Sequence, residues 1–297
     1  MDDQLNKRKV LVMFEKVSMY HPDKVADRIA GALVDLAYSK KQDPKVAVEV
    51  LIGHGKCLII NETDTPLDYD VVKAIVCRML QSIDIDVEYE EVKQDAELAR
   101  NQADELRCGD NGIFKSVLPN REERALSELT HRLDQAFPSD GKYILDKRSH
   151  ALVICQSNAS DKDIFSFITS LHDLNFDLTI NPLGYWIGGT NVDCGATNRK
   201  LGSDMGRSAT GGGLHGKDLS KGDVSINIEC MLLTNKKNIR VEAYCAIGDK
   251  EVVFYANTNR KKILAKKSFA EIVADAKRYI NKIGGFEKLA EYGLIRY

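Results

Sequence analysis

The chain has 297 residues, 43% hydrophobic and 29% charged, a balance that excludes disorder and allows one large domain or two to three small ones. A formal net charge of -2 gives no global attraction to nucleic acid, so any anion site has to be built locally. No apolar run approaches the roughly 20 residues that span a bilayer, and the polar stretch Met1 to Lys9 lacks the apolar centre of a signal peptide.

Val10 to Phe14 is a short apolar run. Pro22 suits the first turn of a helix, where its missing N–H costs nothing, and Val25, Ile29, Leu33 and Leu36 then recur at helical spacing. Val46 to Ile52 and Cys57 to Ile60 are β-branched runs on either side of Gly53-His54-Gly55, which predicts a hairpin. A second amphipathic helix is expected over Val71 to Ile83, and Leu126, Leu129 and Leu133 mark a third. Ala151 to Cys155 has the pattern of a buried strand. Ser160 with Asp163, and later Ser268 with Glu271, have the spacing of capping boxes that open helices. Ile239 to Ile247 and Glu251 to Ala256 predict another hairpin. Helix and hairpin signals thus recur about three times, the pattern of mixed α/β units that pack sheets against helices. The seven cysteines (Cys57, Cys77, Cys108, Cys155, Cys194, Cys230, Cys245) are scattered and never spaced as C-x-x-C, which predicts reduced, buried or incidental thiols in a cytoplasmic protein.

The stretch Asn181 to Asp223 breaks this rhythm. Its many glycines are interleaved with Asp193, Arg199, Lys200, Asp204, Lys217, Lys221 and Asp223, more charge than a flexible linker needs. Four motifs carry chemistry. His21-Pro22-Asp23-Lys24 opens a helix, where free N–H groups favour phosphate; His21 and Lys24 are suited to phosphate oxygens and Asp23 to Mg²⁺. Gly109-Asp110-Asn111-Gly112 and Asp140-Gly141-Lys142 are turns that present charge. Gly211 to Lys217 spells G-x-x-x-x-G-K, but Asp218 stands where a phosphate-binding loop needs Ser or Thr, and no apolar strand leads in. Its backbone N–H groups are still able to cradle an anion.

Taken in this order, with Asn181-Pro182, Ile187-Gly188-Gly189 and Asp193-Cys194-Gly195 before Arg199-Lys200, the motifs resemble those of the methionine adenosyltransferase family from about residue 10 to 250. The resemblance implies an α/β (α+β) fold of three related βαβ-type sub-domains in a pseudo-threefold arrangement, their sheets covered by helices. It suggests sub-domains over 1–120 (interleaved with the others), 121–180 and 181–297. It also implies a homodimer with shared active sites, a tetramer as a further assembly, and a need for Mg²⁺ and K⁺. By this resemblance His21, Asp110, Asp140, Lys142, Asp193, Arg199, Lys200 and Lys217 bind ATP, with His21, Lys142, Arg199, Lys200 and Lys217 acting in catalysis. Tyr185 or Trp186 stacks on adenine. Glu62, Gln94, Asp193 and Lys221 position methionine, Asp23 and Asp223 hold Mg²⁺, and Glu49 serves K⁺. Asp193 and Lys217 are expected to face His21, Asp23 and Lys142 of a partner chain.

The chemistry agrees with that set. A thioether sulfur is already nucleophilic, so attack on C5′ of ATP needs no general base; the barrier lies in expelling triphosphate, which cations and Mg²⁺ stabilise. The chain departs from the family at Met19-Tyr20 (usually Glu-Gly), Asn111 (Gln), Val224 (Arg) and Cys155 to Asn158 (Ser-Thr-Gln-His), and it is shorter around Ser203 to Thr210 and near the C-terminus. Two rivals remain at this stage, a non-catalytic paralogue that binds ATP or S-adenosylmethionine and a P-loop nucleotidase, the latter disfavoured by Asp218.

Overall fold

The computed structural model describes residues 13–82, 84–95, 106–171, 176–256 and 262–296. Val10 to Val12 and Ile83, included in the expected strand and helix, lie outside them. β1 (Met13–Val17) leads into α1 (Pro22–Lys40), which Pro22 opens and the His21 ring caps by accepting the Asp23 N–H at 3.1 Å. Alternating β-branched residues make β2 (Val46–Gly53) and β3 (Lys56–Thr63), an antiparallel hairpin turned by His54 and Gly55 at φ 51° and 78°. α2 (Tyr69–Leu80) starts earlier than expected because Asp68 caps it, and stops earlier because Gln81 turns left-handed. It returns the chain to β4 (Asp86–Val92), parallel to β3.

β5 (Gly112–Ser116) precedes α3 (Arg121–Ala136), which is held at its start by a reciprocal Asn120–Glu123 capping box. The hairpin of β6 (Gly141–Asp146) and β7 (Ala151–Gln156) is followed by α4 (Asp161–Ser170) and β8 (Asp177–Ile180), parallel to β7. The charged glycine-rich stretch then contains only β9 (Gly195–Ala196), α5 (Leu201–Met205) and two 3-10 turns before α6 (Asp223–Lys237). β10 (Val241–Cys245), β11 (Glu251–Ala256) and β12 (Lys262–Ser268) form a meander; α7 (Phe269–Ile283), opened by the Ser268–Glu271 box, and α8 (Phe286–Tyr292) end the fold.

Three four-stranded sheets result, with strand orders β1-β6-β7-β8, β4-β3-β2-β9 and β12-β11-β10-β5. Two of them repeat one motif, hairpin, helix, then a strand parallel to the second hairpin strand (β6-β7-α4-β8 and β2-β3-α2-β4). The third replaces helix and parallel strand by β12 antiparallel to β11, and its helix α7 follows instead. Each sheet has its own core: Phe14, Leu133, Tyr143 and Ile154; Val48, Ile59, Ile29 and Leu33; Phe114, Phe254 and Phe269. Burial of one such side chain contributes about 1.5–3 kcal/mol. Alternation along β2 buries Val46, Val48, Val50 and Ile52 and leaves Glu49 and Leu51 on the open face, with Leu58 and Ile60 of β3 beside them. Among the described residues no helix is long and apolar enough to cross a membrane.

Candidate active site

The open face of the β2–β3 sheet has a charged cluster at each end. At the β9 end, Gly195 lies so close to Pro22 that any Cβ there would meet the Pro22 carbonyl carbon at 2.1 Å. This approach lets the Ala196 N–H donate to Asp23 Oδ1 at 2.9 Å. Lys200 Nζ donates to Asp23 Oδ2 at 2.7 Å, and Arg199 Nη1 lies 3.6 Å from Oδ1. Burial would raise the Asp23 carboxyl, but the bonds from Lys200 and Ala196 hold it below its ordinary value. His21 is the reverse case. Burial, helped by the Lys200 charge, lowers its pKa to about 4, so at neutral pH it is an uncharged ring. Because its Nδ1 accepts from Asp23 N–H, the ring proton sits on Nε2.

Asp140 and Lys142 reach the same cluster from β6. Lys142 Nζ lies 3.5 Å from Glu15, and Asp140 Oδ2 accepts the Gly189 N–H at 3.3 Å. Burial pushes the Asp140 carboxyl up to about 6, against that hydrogen bond, and the Asp193 charge pushes the same way. Asp193 acts on His21 as well, from within the same chain. The Asn181–Gly195 loop thus folds back over its own α1. The Tyr185 ring is exposed, whereas Trp186 is half-buried and donates its indole N–H to Asn181 Oδ1 at 3.1 Å.

At the opposite end of β2, Lys217 pairs its backbone with Ala47, and the Gly216 carbonyl accepts the Val48 N–H at 2.7 Å. Lys217 Nζ donates to Asp223 Oδ2 at 2.6 Å and to the Gly212 carbonyl at 3.1 Å. Asp223 opens α6, and burial raises its carboxyl against the pull of Lys217. Its Oδ1 is buried and accepts no hydrogen bond. The charges of Asp110 and Lys221 both reach Asp223, and Lys221 Nζ is 3.7 Å from Glu62, which sits opposite Ala47 on β3. Gln94 follows β4 at the same end, its side-chain amide nitrogen buried without a partner. Glu49 lies midway on β2 and accepts the Thr197 hydroxyl hydrogen bond. From Ala47, beside Lys217, to Leu51, beside Ala196, is four strand residues, roughly 13 Å. Asp218 does not mimic a phosphate-loop serine, because it is buried and accepts the N–H groups of Val46 and Ser220 at 2.8 Å each.

Lys24 departs from its expected phosphate role. It points into the protein, 1% exposed, and donates to Asp204 Oδ1 at 2.5 Å, with Asp27 Oδ2 at 3.3 Å and His215 Nε2 at 3.5 Å. Asp27, Asp204 and His215 have the spacing of metal ligands, but the Lys24 ammonium already sits among them and supplies the cation. Burial works against the Asp204 charge, yet Lys24 and His215 hold its pKa at about 2. Asn198 closes this network, donating its N–H to Asp27 and accepting those of Leu214 and His215. Periodicity alone gave no sign of it; the only signal was a lysine at a position where a helix turns its buried face.

The S-adenosylmethionine synthetase N-terminal domain model matches residues 9–103. An S-adenosylmethionine synthase of Helicobacter pylori is 28% identical, over 90% of this chain and 84% of its own. One of Mycoplasma capricolum is 26% identical over 87% and 83%. The solved structure of an unusual S-adenosylmethionine synthetase from Campylobacter jejuni shares the fold, with a TM-score of 0.74 at 20% identity over 95% of this chain and 93% of that one. Over most of its length the chain is thus similar to S-adenosylmethionine synthases, and residues 9–103 match the N-terminal domain of that family.

Its departures from the family pattern have local causes. Met19 lends its N–H to Asp134 and its sulfur to the Tyr292 hydroxyl, tying the turn before α1 to α8. Gln156 and Ser157, in the altered run after Cys155, bond the Asp140 carbonyl and Ser139, and so seat the Asp140 turn. Val224 is fully buried in the core of the β2–β3 sheet. Asn111 Oδ1 accepts the Ile247 N–H at 2.7 Å, fastening the Asp110 turn to the end of β10.

Proposed function

We propose that this chain is a methionine adenosyltransferase that converts ATP, L-methionine and water to S-adenosylmethionine, phosphate and pyrophosphate. The observation that carries this reading is the Lys217–Asp223 pair at the start of α6, with a buried carboxylate oxygen that no protein group satisfies. The sulfur of methionine attacks C5′; the C–S bond forms as the C5′–O bond to triphosphate breaks, and water then cleaves the triphosphate. Lys142, Arg199, Lys200 and Lys217 stabilise the departing negative charge, and His21, neutral with its proton on Nε2, donates a hydrogen bond to a phosphate oxygen. Tyr185 stacks on adenine, Asp110, Asp140 and Asp193 orient the nucleotide, and Glu62, Gln94, Asp193 and Lys221 receive methionine.

The residues fit Mg²⁺ unevenly. The unsatisfied oxygen of Asp223 suits a hard cation, whereas Asp23 has both oxygens engaged and takes one only as Lys200 turns to the triphosphate. Bound there, Mg²⁺ would neutralise triphosphate charge. Glu49, on the open face beside Thr197, is the residue for K⁺. A homodimer gives the two clusters a common substrate: exposed Leu51, Leu58 and Ile60 lie between them, an apolar face for a second copy to cover. The scattered free cysteines suit the cytoplasm.

Incubation with ATP, methionine, Mg²⁺ and K⁺, followed by mass spectrometry, should yield S-adenosylmethionine with equal phosphate and pyrophosphate. No product with either Mg²⁺ or Mn²⁺ would leave only a nucleotide-binding paralogue, and phosphate release independent of methionine would point to a nucleotidase.

A further inference from the structure

Cys108 immediately precedes the Gly109-Asp110-Asn111-Gly112 turn, and Cys245 ends β10, where it pairs with Gly112 of β5. Their Sγ atoms are 3.0 Å apart, and both residues are buried. The two thiols aim at one acceptor, the Asp110 carbonyl, at 3.1 and 3.3 Å. Backbone bonds hold Cys108 in place: its N–H donates to Asp249 and its carbonyl accepts from Gly248. A disulfide needs about 2.05 Å between sulfurs, so closure asks for a shift of roughly 1 Å.

We propose that Cys108 and Cys245 form a redox modification site, which a peroxide converts to an intramolecular disulfide. Cys245 lines a cavity of about 500 Å³ with Asn111, Ile113 and Tyr244, which gives the oxidant an approach. The Cys245 sulfur attacks peroxide as its thiol proton passes to the departing oxygen; an S–O bond forms as the O–O bond breaks, and one water leaves. The Cys108 sulfur then attacks the sulfenic sulfur; the S–S bond forms, the S–O bond breaks, and the leaving hydroxide takes the Cys108 proton as a second water. Two thiols have lost two electrons and two protons to the peroxide, and a dithiol reductant reverses the change.

The consequence follows from what the thiols touch. The Asp110 carbonyl loses both S–H donors. Cys108 Sγ also packs against Gly222, the residue before Asp223, and the Gly109 N–H donates to the Ser220 carbonyl at 3.0 Å. One bond therefore acts on Asp110, Lys221 and Asp223 together. That turnover responds rests on the methionine adenosyltransferase reading; the disulfide does not.

Hydrogen peroxide treatment of the purified protein, with thiol counting and peptide mapping, tests it. Two of the seven thiols should vanish together, with Cys108 linked to Cys245, the mass lower by two hydrogens, and dithiothreitol restoring both. Turnover should fall severalfold and recover on reduction, while Cys245→Ala keeps its turnover in peroxide. If only exposed Cys194 is oxidised and both buried thiols still alkylate after denaturation, the proposal is overturned. A link that leaves turnover unchanged overturns its regulatory part. Should Cys245→Ala not fold, the wild-type map decides. Absence of S-adenosylmethionine before oxidation sinks the activity reading and leaves the thiol map untouched.

Discussion

Asp23 and Lys24 are neighbours at the start of α1, yet they belong to two different electrostatic regions. Asp23 faces the open end of the β2–β3 sheet, where its partners Arg199 and Lys200 are partly exposed and free to turn to another anion. Lys24 is enclosed with Asp27, Asp204 and His215, every one nearly without solvent exposure. The same residue types do opposite work. In the open cluster charge is held ready for a ligand; in the closed one each charge compensates its neighbour and joins α1 to the part of the glycine-rich segment that precedes Lys217. A cation that must meet triphosphate needs rearrangeable partners, and a cation that fixes two loops needs none left over.

The closed region is the place where this contrast breaks first. Lys24→Ala leaves Asp27 and Asp204 buried with only His215 between them, and should destabilise the fold by about 3–5 kcal/mol, the usual effect of removing one partner from a buried charge network. Denaturant unfolding measures it. A variant as stable as wild type but inactive would move Lys24 into the chemistry.

The open region should respond in activity instead. Lys217→Ala is expected to lower turnover by about a hundredfold or more, the scale for loss of a preorganised charge donor, with the fold intact because the side chain is partly exposed. Near-normal turnover in a folded variant would remove Lys217 from the site.

The smallest effect sharpens the comparison through pH. Burial raises the Asp140 carboxyl to about 6, so the folded state resists its ionisation. The cost is absent below the ordinary value of 3.8, where both states bind the proton, grows as pH rises, and is complete above about 6. Asp140→Asn should therefore be more stable than wild type at about pH 7.5, by about 1–2 kcal/mol, with the gain shrinking toward about pH 4.5. Equal differences at both pH values would mean that the carboxyl is not strained by burial.

Much of this was legible in the sequence. The β2–β3 and β10–β11 hairpins, and the helices opened by Pro22 and by Ser268–Glu271, follow from alternation and capping, which are local. Asp23 stands out because its motif puts charge at a helix start, and Lys200, Lys217 and Asp223 because they interrupt a glycine-rich stretch with charge. The rest depends on contacts across many residues. Nothing near Lys24 in sequence tells that Asp204 and His215 close over it, and only folding sets Cys108 beside Cys245. That Asp193 acts on His21 within one chain is hidden for the same reason, since the path of a long loop is not written in its composition.

The account turns on the claim that the His21 and Lys217 clusters, kept apart along β2 within one chain, meet at one substrate between two chains. His21→Ala and Lys217→Ala, each nearly inactive alone, should be unfolded, mixed and refolded, and S-adenosylmethionine formation measured. Random pairing makes half the dimers mixed, with one intact site in each, so activity should return to about a quarter of wild type. Mixtures that exchange subunits and stay inactive, or a protein that sediments as a monomer while turning over, would contradict the shared site.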